Sequence, residues 1–340
     1  MKPKSKLINF GLFIFGLLIA FLFAEIFLRV IPYQPNFISP PYMYTNHQAN
    51  GFTLQPGFST QQSTLDGITL YQINNQGIRS STEYQTYNNF QNTQGIQRLF
   101  VIGDSFTFGW GAEEQETFPY ILERLLNKQN SNYKVINLGV PGYNTSQSYN
   151  RMLEYAKLLG NPDIVLYMFC PNDPIENIAG RAIVVDGIKI TERRIKYKYI
   201  AYMINKLYVH SRTIALVVDI YNTTINPKNV LENELGEQDL INREDTSFLL
   251  SELEKLQSWT SERNIDLLVM TTHNSEYSSI LLSTLKDSGT AILESQNIFD
   301  QNNLKSEQVH LKYDGHWNPL GHQVVADALY DFLIINEWIH

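Results

Sequence analysis

The sequence predicts a parallel, doubly wound α/β sheet behind an N-terminal membrane-spanning helix. Three observations predict it. From Arg98 onward, short apolar runs alternate with segments of helical apolar period. Each run closes on Gly, Asp, Asn or Pro, the residues that turn a chain at the end of a strand. Strands separated by single helices lie parallel and are joined by right-handed crossovers. The third observation is an uncharged stretch from Leu7 to Ala24, dominated by Leu, Ile and Phe and preceded by Lys2, Lys4 and Lys6.

As a helix that stretch spans ~27 Å at the usual rise per residue, close to the thickness of a bilayer core. A signal peptidase needs a small-x-small pattern, and Leu22 stands where the first small residue is wanted. The expectation is therefore a retained anchor over residues 7–28, with the bilayer as its partner. Lysines before the helix, with only Arg29 following closely, place residues 1–6 in the cytoplasm and the remainder outside, in the periplasm or at the cell surface. Glu25, near the outer end, is placed to reach the interface.

The chain has 340 residues, of which 43% are hydrophobic, enough for one large domain with accessories. A net charge of −8 disfavours nucleic acid as a partner, because phosphate binding needs a basic footprint. The single cysteine, Cys170, adjoins the apolar run Ile164 to Phe169 and reads as a small buried hydrophobe.

Residues 29–97 read as a stalk that becomes a small β element. They are rich in Pro, Tyr, Asn, Gln and Thr, and between Ile31 and Leu65 they carry no Asp, Glu, Lys or Arg. Ile68, Leu70 and Ile73 fit an edge strand or hairpin leading to a turn at Asn75 to Gly77.

A domain over residues 98–340 follows. Leu99 to Ile102 form a buried strand that runs into a tight turn at Gly103. Thr117 and Pro119 start a helix whose apolar face is Phe118, Ile121, Leu122, Leu125 and Leu126. The next strand is Lys134 to Leu138, followed by a helix from about Thr145 that stops at Gly160, and then by the strand Ile164 to Phe169. Regularity fails in an insertion over 174–245. There AIVVDGIKIT reads as a hairpin turning at Asp186-Gly187, Arg193 to Lys198 as a solvated basic run, and Tyr199 to Tyr221 as a buried or membrane-facing helix. The alternation resumes with a helix from Asp245 to Arg263, facing inward through Phe248, Leu249, Leu253, Leu256 and Trp259. A strand Ile265 to Met270, a short strand around Ala291 to Leu293, a loop to Asp314 and a closing helix from Pro319 to about Leu333 complete the chain.

Four blocks fall just beyond strands or ahead of the last helix: Gly103-Asp104-Ser105, Gly142 in GVPGYNT, Asn172 in FCPNDP, and Asp314-Gly315-His316. A serine hydroxyl is a weak nucleophile, so it needs a base within hydrogen-bond reach and donors for the oxyanion it creates. The blocks supply candidates for both. A Gly-x-Ser-x-Gly elbow is absent, which argues against an α/β-hydrolase.

In this order the blocks resemble the SGNH hydrolases, the GDSL-type esterase and lipase superfamily, over residues 98 to 335. The resemblance implies a flavodoxin-like sheet and a serine esterase that needs no cofactor and no metal. It assigns Ser105 as nucleophile, His316 as base and Asp314 as the orienting acid, with only Gly315 between the last two. It assigns the N–H groups of Ser105 and Gly142 and the amide of Asn172 to an oxyanion hole. Gly142 is expected to be glycine because a side chain would crowd the acyl oxygen. Asp104, Trp317 and His273 are expected to line the substrate, with Trp317 alternatively locking its loop, while His322 reads as structural. Asn74 to Arg79 resembles a segment of membrane-anchored members.

The expected activity is hydrolysis or transfer of an O-acyl group, acetyl foremost, on an extracytoplasmic carbohydrate. A lysophospholipase or lipase-type esterase fits the same machinery, and a catalytically silent scaffold subunit of envelope polysaccharide assembly is the rival from another class.

Overall fold

The computed structural model describes residues 3–31, 33, 40–84, 95–129, 132–173, 182–190, 198–221, 224 and 243–339. Its centre is a five-stranded parallel sheet of β5 (Gln97–Gly103), β6 (Tyr133–Asn137), β7 (Ile164–Phe169), β10 (Asp266–Thr271) and β11 (Ala291–Glu294). The spatial order is β11-β10-β7-β5-β6, so the chain starts in the interior, steps to one edge, then crosses back and works outward to the other. This is the flavodoxin-like doubly wound order, with the reversal of direction at β5.

Alternation along the strands divides two cores. Leu99, Val101, Leu166, Met168, Leu268 and Met270 face α3 (Phe118–Leu126) and α11 (Pro319–Ile335). Phe100, Ile102, Val165, Tyr167, Phe169, Leu267 and Val269 face α4 (Thr145–Leu159), α7 (Arg243–Ser261) and α8 (Glu276–Ser288). All six residues of β7 are buried, as a central strand covered on both faces requires.

Local signals explain where the helices begin. Asn144 accepts a hydrogen bond from the N–H of Gln147 and its own N–H donates back to Gln147 Oε1, a capping box that starts α4. Asn318 accepts from the N–H of Gly321 ahead of Pro319, which starts α11.

The region before the sheet is folded onto it. β1 (Tyr44–His47) pairs with β2 (Gly51–Leu54), and β3 (Ser59–Thr64) pairs with β4 (Gly67–Gln72). Tyr44, Phe52, Leu54, Tyr71 and Ile73 form a third apolar cluster with Phe108, Trp110, Val140 and Tyr143 from the loops beyond β5 and β6. Within the insertion, β8 (Ile183–Val185) and β9 (Ile188–Ile190) turn at Asp186 and Gly187, both at positive φ, and Val184 joins the same cluster. The helices α5 (Lys198–His210) and α6 (Arg212–Ile220) follow; α6 packs beside α1 (Pro3–Val30), and α5 packs on α6 and β9.

Three details correct the sequence reading. α8, of 13 residues, lies between β10 and β11, where no element is expected. The loop expected before Asp314 contains α9 (Ser295–Gln301) and the single turn α10 (Ser306–Val309), and these two are too short to display a helical period. Phe248 is exposed because the buried face of α7 runs through Leu249, Leu253 and Leu256. The strand expected around Ile68 and Leu70 is β4, which leads through the Ile73–Arg79 bridge into the expected turn at 74–77 and pairs with β3 in a hairpin turning at Leu65 and Asp66. Of the basic run, residues 193–197 lie outside the described residues.

Candidate active site

Ser105 sits where β5 ends and the one-turn helix α2 (Ser105–Phe108) begins. Gly103 makes that junction possible. It has φ 150°, and a Cβ there would lie 2.4 Å from Thr107 Oγ1 and 2.7 Å from the carbonyl oxygen of Met168. Asp104 caps the turn, its carboxylate accepting from the N–H of Phe106 at 3.0 Å and lying 3.4 Å from Ser105 Oγ. Gly139, in the loop after β6, has no room for a side chain either, since a Cβ would stand 2.3 Å from the Phe108 nitrogen.

The loop between α10 and α11 brings its histidine to that serine. Its base is closed by hydrogen bonds from the Leu311 N–H to the His316 carbonyl and from the Asn318 N–H to the Val309 carbonyl. His316 Nε2 lies 2.7 Å from Ser105 Oγ. On the other side of the ring, Nδ1 is hydrogen-bonded to Asp314 Oδ1, which also accepts from the His316 N–H at 3.2 Å. Gly315, at φ 85°, takes the left-handed conformation between them. The spacing of one residue is thus enough for the carboxylate to reach its neighbour's ring. Trp110 Nε1 donates to the second oxygen, Asp314 Oδ2, at 3.2 Å. Burial pushes the Asp314 carboxyl up, but the His316 charge and these hydrogen bonds outweigh it and hold it below the usual carboxylate range.

Gly142 and Asn172 lie on the same carboxyl edge of the sheet, in the loops after β6 and β7. The first loop is bound to β5 through the Val140 N–H and the Gly103 carbonyl at 3.2 Å. Gly142 has φ 77°, so its backbone alone favours glycine. Asn172 is half-buried in a turn closed by the Asp173 N–H and the Cys170 carbonyl. Asp173 itself is buried and accepts from the Tyr167 hydroxyl at 2.6 Å.

Two residues expected to line the substrate do not do so. Trp317 has no exposed surface and packs edge-on against Phe106, Phe118, Phe299 and His322, so it locks the loop. Asp104 is likewise wholly buried, because capping α2 turns its carboxylate inward. His273 is half-buried beside the site, edge-on to the Phe106 ring at 5.0 Å, and that ring lies 4.7 Å from His316. Burial lowers the His273 pKa to about 4. His322 is buried with Nδ1 accepting from the Phe118 N–H, and burial lowers its pKa to about 3. Among the described residues no group of three His, Cys, Asp or Glu side chains is arranged to hold a metal ion.

Supports from the N-terminal β element are absent from the sequence reading. Asp66, at the tip of the β3–β4 hairpin, accepts from the N–H groups of Lys312 at 2.8 Å and Tyr313 at 3.2 Å, directly ahead of Asp314. Arg79 is buried and donates to the carbonyls of Phe108, Gly109 and Ala112, the loop that carries Trp110. One signal was available for Asp66, which is the first charged residue after the long uncharged stretch.

The GDSL-like lipase/acylhydrolase family model matches residues 101–244. That stretch includes Ser105, Gly142 and Asn172 and ends before Asp314 and His316. Among solved structures the chain is similar to a lipolytic protein of the G-D-S-L family from Desulfitobacterium hafniense DCB-2, at 11% identity and a TM-score of 0.42, covering 69% of this chain and 98% of that one. It is also similar to the psychrotrophic esterase EstA from a Pseudoalteromonas species, at 12% identity and a TM-score of 0.38, covering 71% and 98%. A third is AlinE4, an SGNH-hydrolase family esterase, at 14% identity and a TM-score of 0.36, covering 72% and 98%. No curated protein matches the chain.

Proposed function

We propose that the chain, whose residues 101–244 match the GDSL-like lipase/acylhydrolase family, is a serine ester hydrolase of the SGNH type with Ser105, His316 and Asp314 as its triad, and that it removes or transfers an O-acyl group, acetyl foremost, on a carbohydrate outside the membrane. The observation that carries the triad is the continuous relay from Ser105 Oγ through both nitrogens of His316 to Asp314.

In this reading His316 Nε2 takes the Ser105 proton as Oγ attacks the acyl carbon. The N–H groups of Ser105 and Gly142 and the side-chain amide of Asn172 receive the oxyanion. Collapse of the tetrahedral intermediate breaks the bond to the sugar oxygen, which leaves with the proton from His316. A water, or a second hydroxyl in the transfer reaction, then releases the acyl group by the same steps in reverse. Asp314 keeps the Nδ1 proton in place and stabilises the imidazolium throughout.

The extracytoplasmic placement and the retained anchor are supported by α1, of which Ile8–Val30 is long and apolar enough to cross a membrane, and by the lysines that precede it. The carbohydrate rests on that location and on family analogy.

The test is a detergent-solubilised full-length enzyme assayed with an activated aryl acetate and with acetylated polysaccharides, scored by acetate release. Ser105→Ala is expected to lose activity to below about a thousandth of wild type while retaining the fold. Ester hydrolysis that survives this change removes the nucleophile assignment. Cleavage of the aryl ester with no acetate release from any polymer removes the carbohydrate.

A further inference from the structure

The helical hairpin of α5 and α6 carries an apolar face that is exposed among the described residues. Ile200, Met203, Ile204 and Leu207 are each about half exposed or more and recur at i, i+3, i+4 and i+7, one stripe of α5. On α6, Val217 and Ile220 are exposed in the same way. A stripe of this kind on a water-soluble surface is costly, so its covering has to be found.

The anchor shows what lies beside it. Glu25 of α1 accepts from Ser211 Oγ at 2.9 Å and from the N–H groups of Arg212 and Thr213 at 3.1 and 3.0 Å, so its carboxylate caps the start of α6. Arg29, one turn on, pairs with Glu25 and donates to the carbonyl of His210 at 2.8 Å. Tyr33 and Tyr208 both hydrogen-bond Asp219. α6 therefore runs alongside residues 25–33 in the same direction, with the hairpin tip at 210–211 level with Glu25.

That level lies within the reach of lipid. Only Ala24, Glu25 and Leu28 are covered by the hairpin, whereas Ile26, Phe27 and Val30 remain more than half exposed. Val30 stands five residues beyond Glu25, about 7 Å further along the helix. A bilayer that covers the apolar surface of α1 up to Val30 thus rises past the hairpin tip. A carboxylate at that depth is costly unless paired, and the tip supplies its partners.

We propose that the α5–α6 hairpin is a second membrane contact, its tip and the adjacent exposed residue Leu207 seated at the outer headgroup boundary of the bilayer that α1 crosses, with Ile204 and Val217 in the headgroup layer above it. The proposal rests on the anchor being retained. It makes α1 and the hairpin one membrane-bound unit, clamped at Glu25, that fixes the orientation of the hydrolase domain over the surface.

The test uses the full-length chain in phosphatidylcholine and phosphatidylglycerol vesicles, with single cysteines labelled by an environment-sensitive fluorophore at Ile204, Leu207 or Val217. Leu22 in the anchor and Tyr120 on the far helix α3 serve as reference positions. Cys170 is buried, with its thiol pKa pushed well up, and does not compete for label. Quenching by shallow spin-labelled lipid is expected at the hairpin positions within about twofold of that at Leu22, as for a helix sunk ~5–10 Å into the headgroup boundary, and not at Tyr120. Glu25→Ala is expected to lower it at Leu207 and leave Leu22 unchanged. Iodide quenching at the hairpin equal to that at Tyr120, with Leu22 still in lipid, overturns the proposal and spares the anchor. Protection from both quenchers at the hairpin also overturns it, because a protein then covers the face. Recovery of a chain without residue 22 overturns the anchor and the proposal together.

Discussion

Asp314 and Asn172 divide the proposed chemistry between orientation and charge stabilisation, and single substitutions separate them. In Asp314→Asn the amide replaces a carboxylate that faces His316 Nδ1 and receives the Trp110 indole, so the ring loses the tautomer it needs. The turnover rate is expected to fall by about 10⁴ with little change in KM. An Asp314→Asn enzyme within about tenfold of wild type would leave a Ser105–His316 dyad. Asn172→Ala removes one oxyanion donor and is expected to cost about 100-fold to 1000-fold in kcat. Steady-state kinetics on one ester settles both. The placement of these residues was legible in the sequence, because each falls just beyond a strand or ahead of the last helix and so on one edge of the sheet. For Asp104 the expected role failed, and for Trp317 only the second of its two expected roles fits the structure. An indole or carboxylate next to a reacting group looks available to substrate, and only the packing of Phe106, Phe118 and Phe299 and the cap on α2 show both turned inward.

Among the elements, the β3–β4 hairpin has a role at the site that composition does not reveal. Its tip touches the Asp314 loop across 246 residues of sequence, through Asp66. Charged acceptors of backbone N–H groups are the stronger class of hydrogen bond, and the groups held are those immediately before Asp314. Asp66→Ala is expected to lower kcat by about tenfold with KM nearly unchanged, since it frees a loop that positions the acid and does not touch substrate. Asp66→Asn keeps an acceptor oxygen and is expected to recover most of that loss. Equal loss in both variants, or a rise in KM alone, would exclude the positioning role. The central strands and α3, α4 and α11 were readable because each displays an apolar period and a cap. The clamp of the N-terminal element was not, because its cluster is assembled from stretches at 43–73, 108–143 and 182–184 that no local window joins.

For the molecule as a whole, the sheet class followed from the alternation of strands and helices, whereas the spatial order needed the register of β5 between β6 and β7. The same joining of distant parts ties global stability to pH through His322. This side chain closes α11 against the first turn of α3, where the Phe118 N–H donates to its Nδ1 and the Phe118 ring stacks on it. A proton on Nδ1 would break that bond and leave a charge in a site already facing the Arg79 guanidinium. The folded protein therefore keeps His322 neutral down to about pH 3. The unfolded chain takes up the proton near the ordinary histidine value of ~6.5. Between those values the unfolded state binds more protons, so stability falls as the pH is lowered, and no further loss from this group occurs below about pH 3. At neutral pH the penalty is nearly absent; at pH 5 it reaches about 2 kcal/mol from this group alone. Denaturant unfolding of wild type and His322→Asn at pH 7 and pH 5 measures it. The asparagine variant is expected to be less stable at pH 7, having lost the packed ring, but to lose about 2 kcal/mol less than wild type on going to pH 5. Equal acid losses in the two proteins would show that His322 is protonated as readily in the folded chain as in the unfolded one.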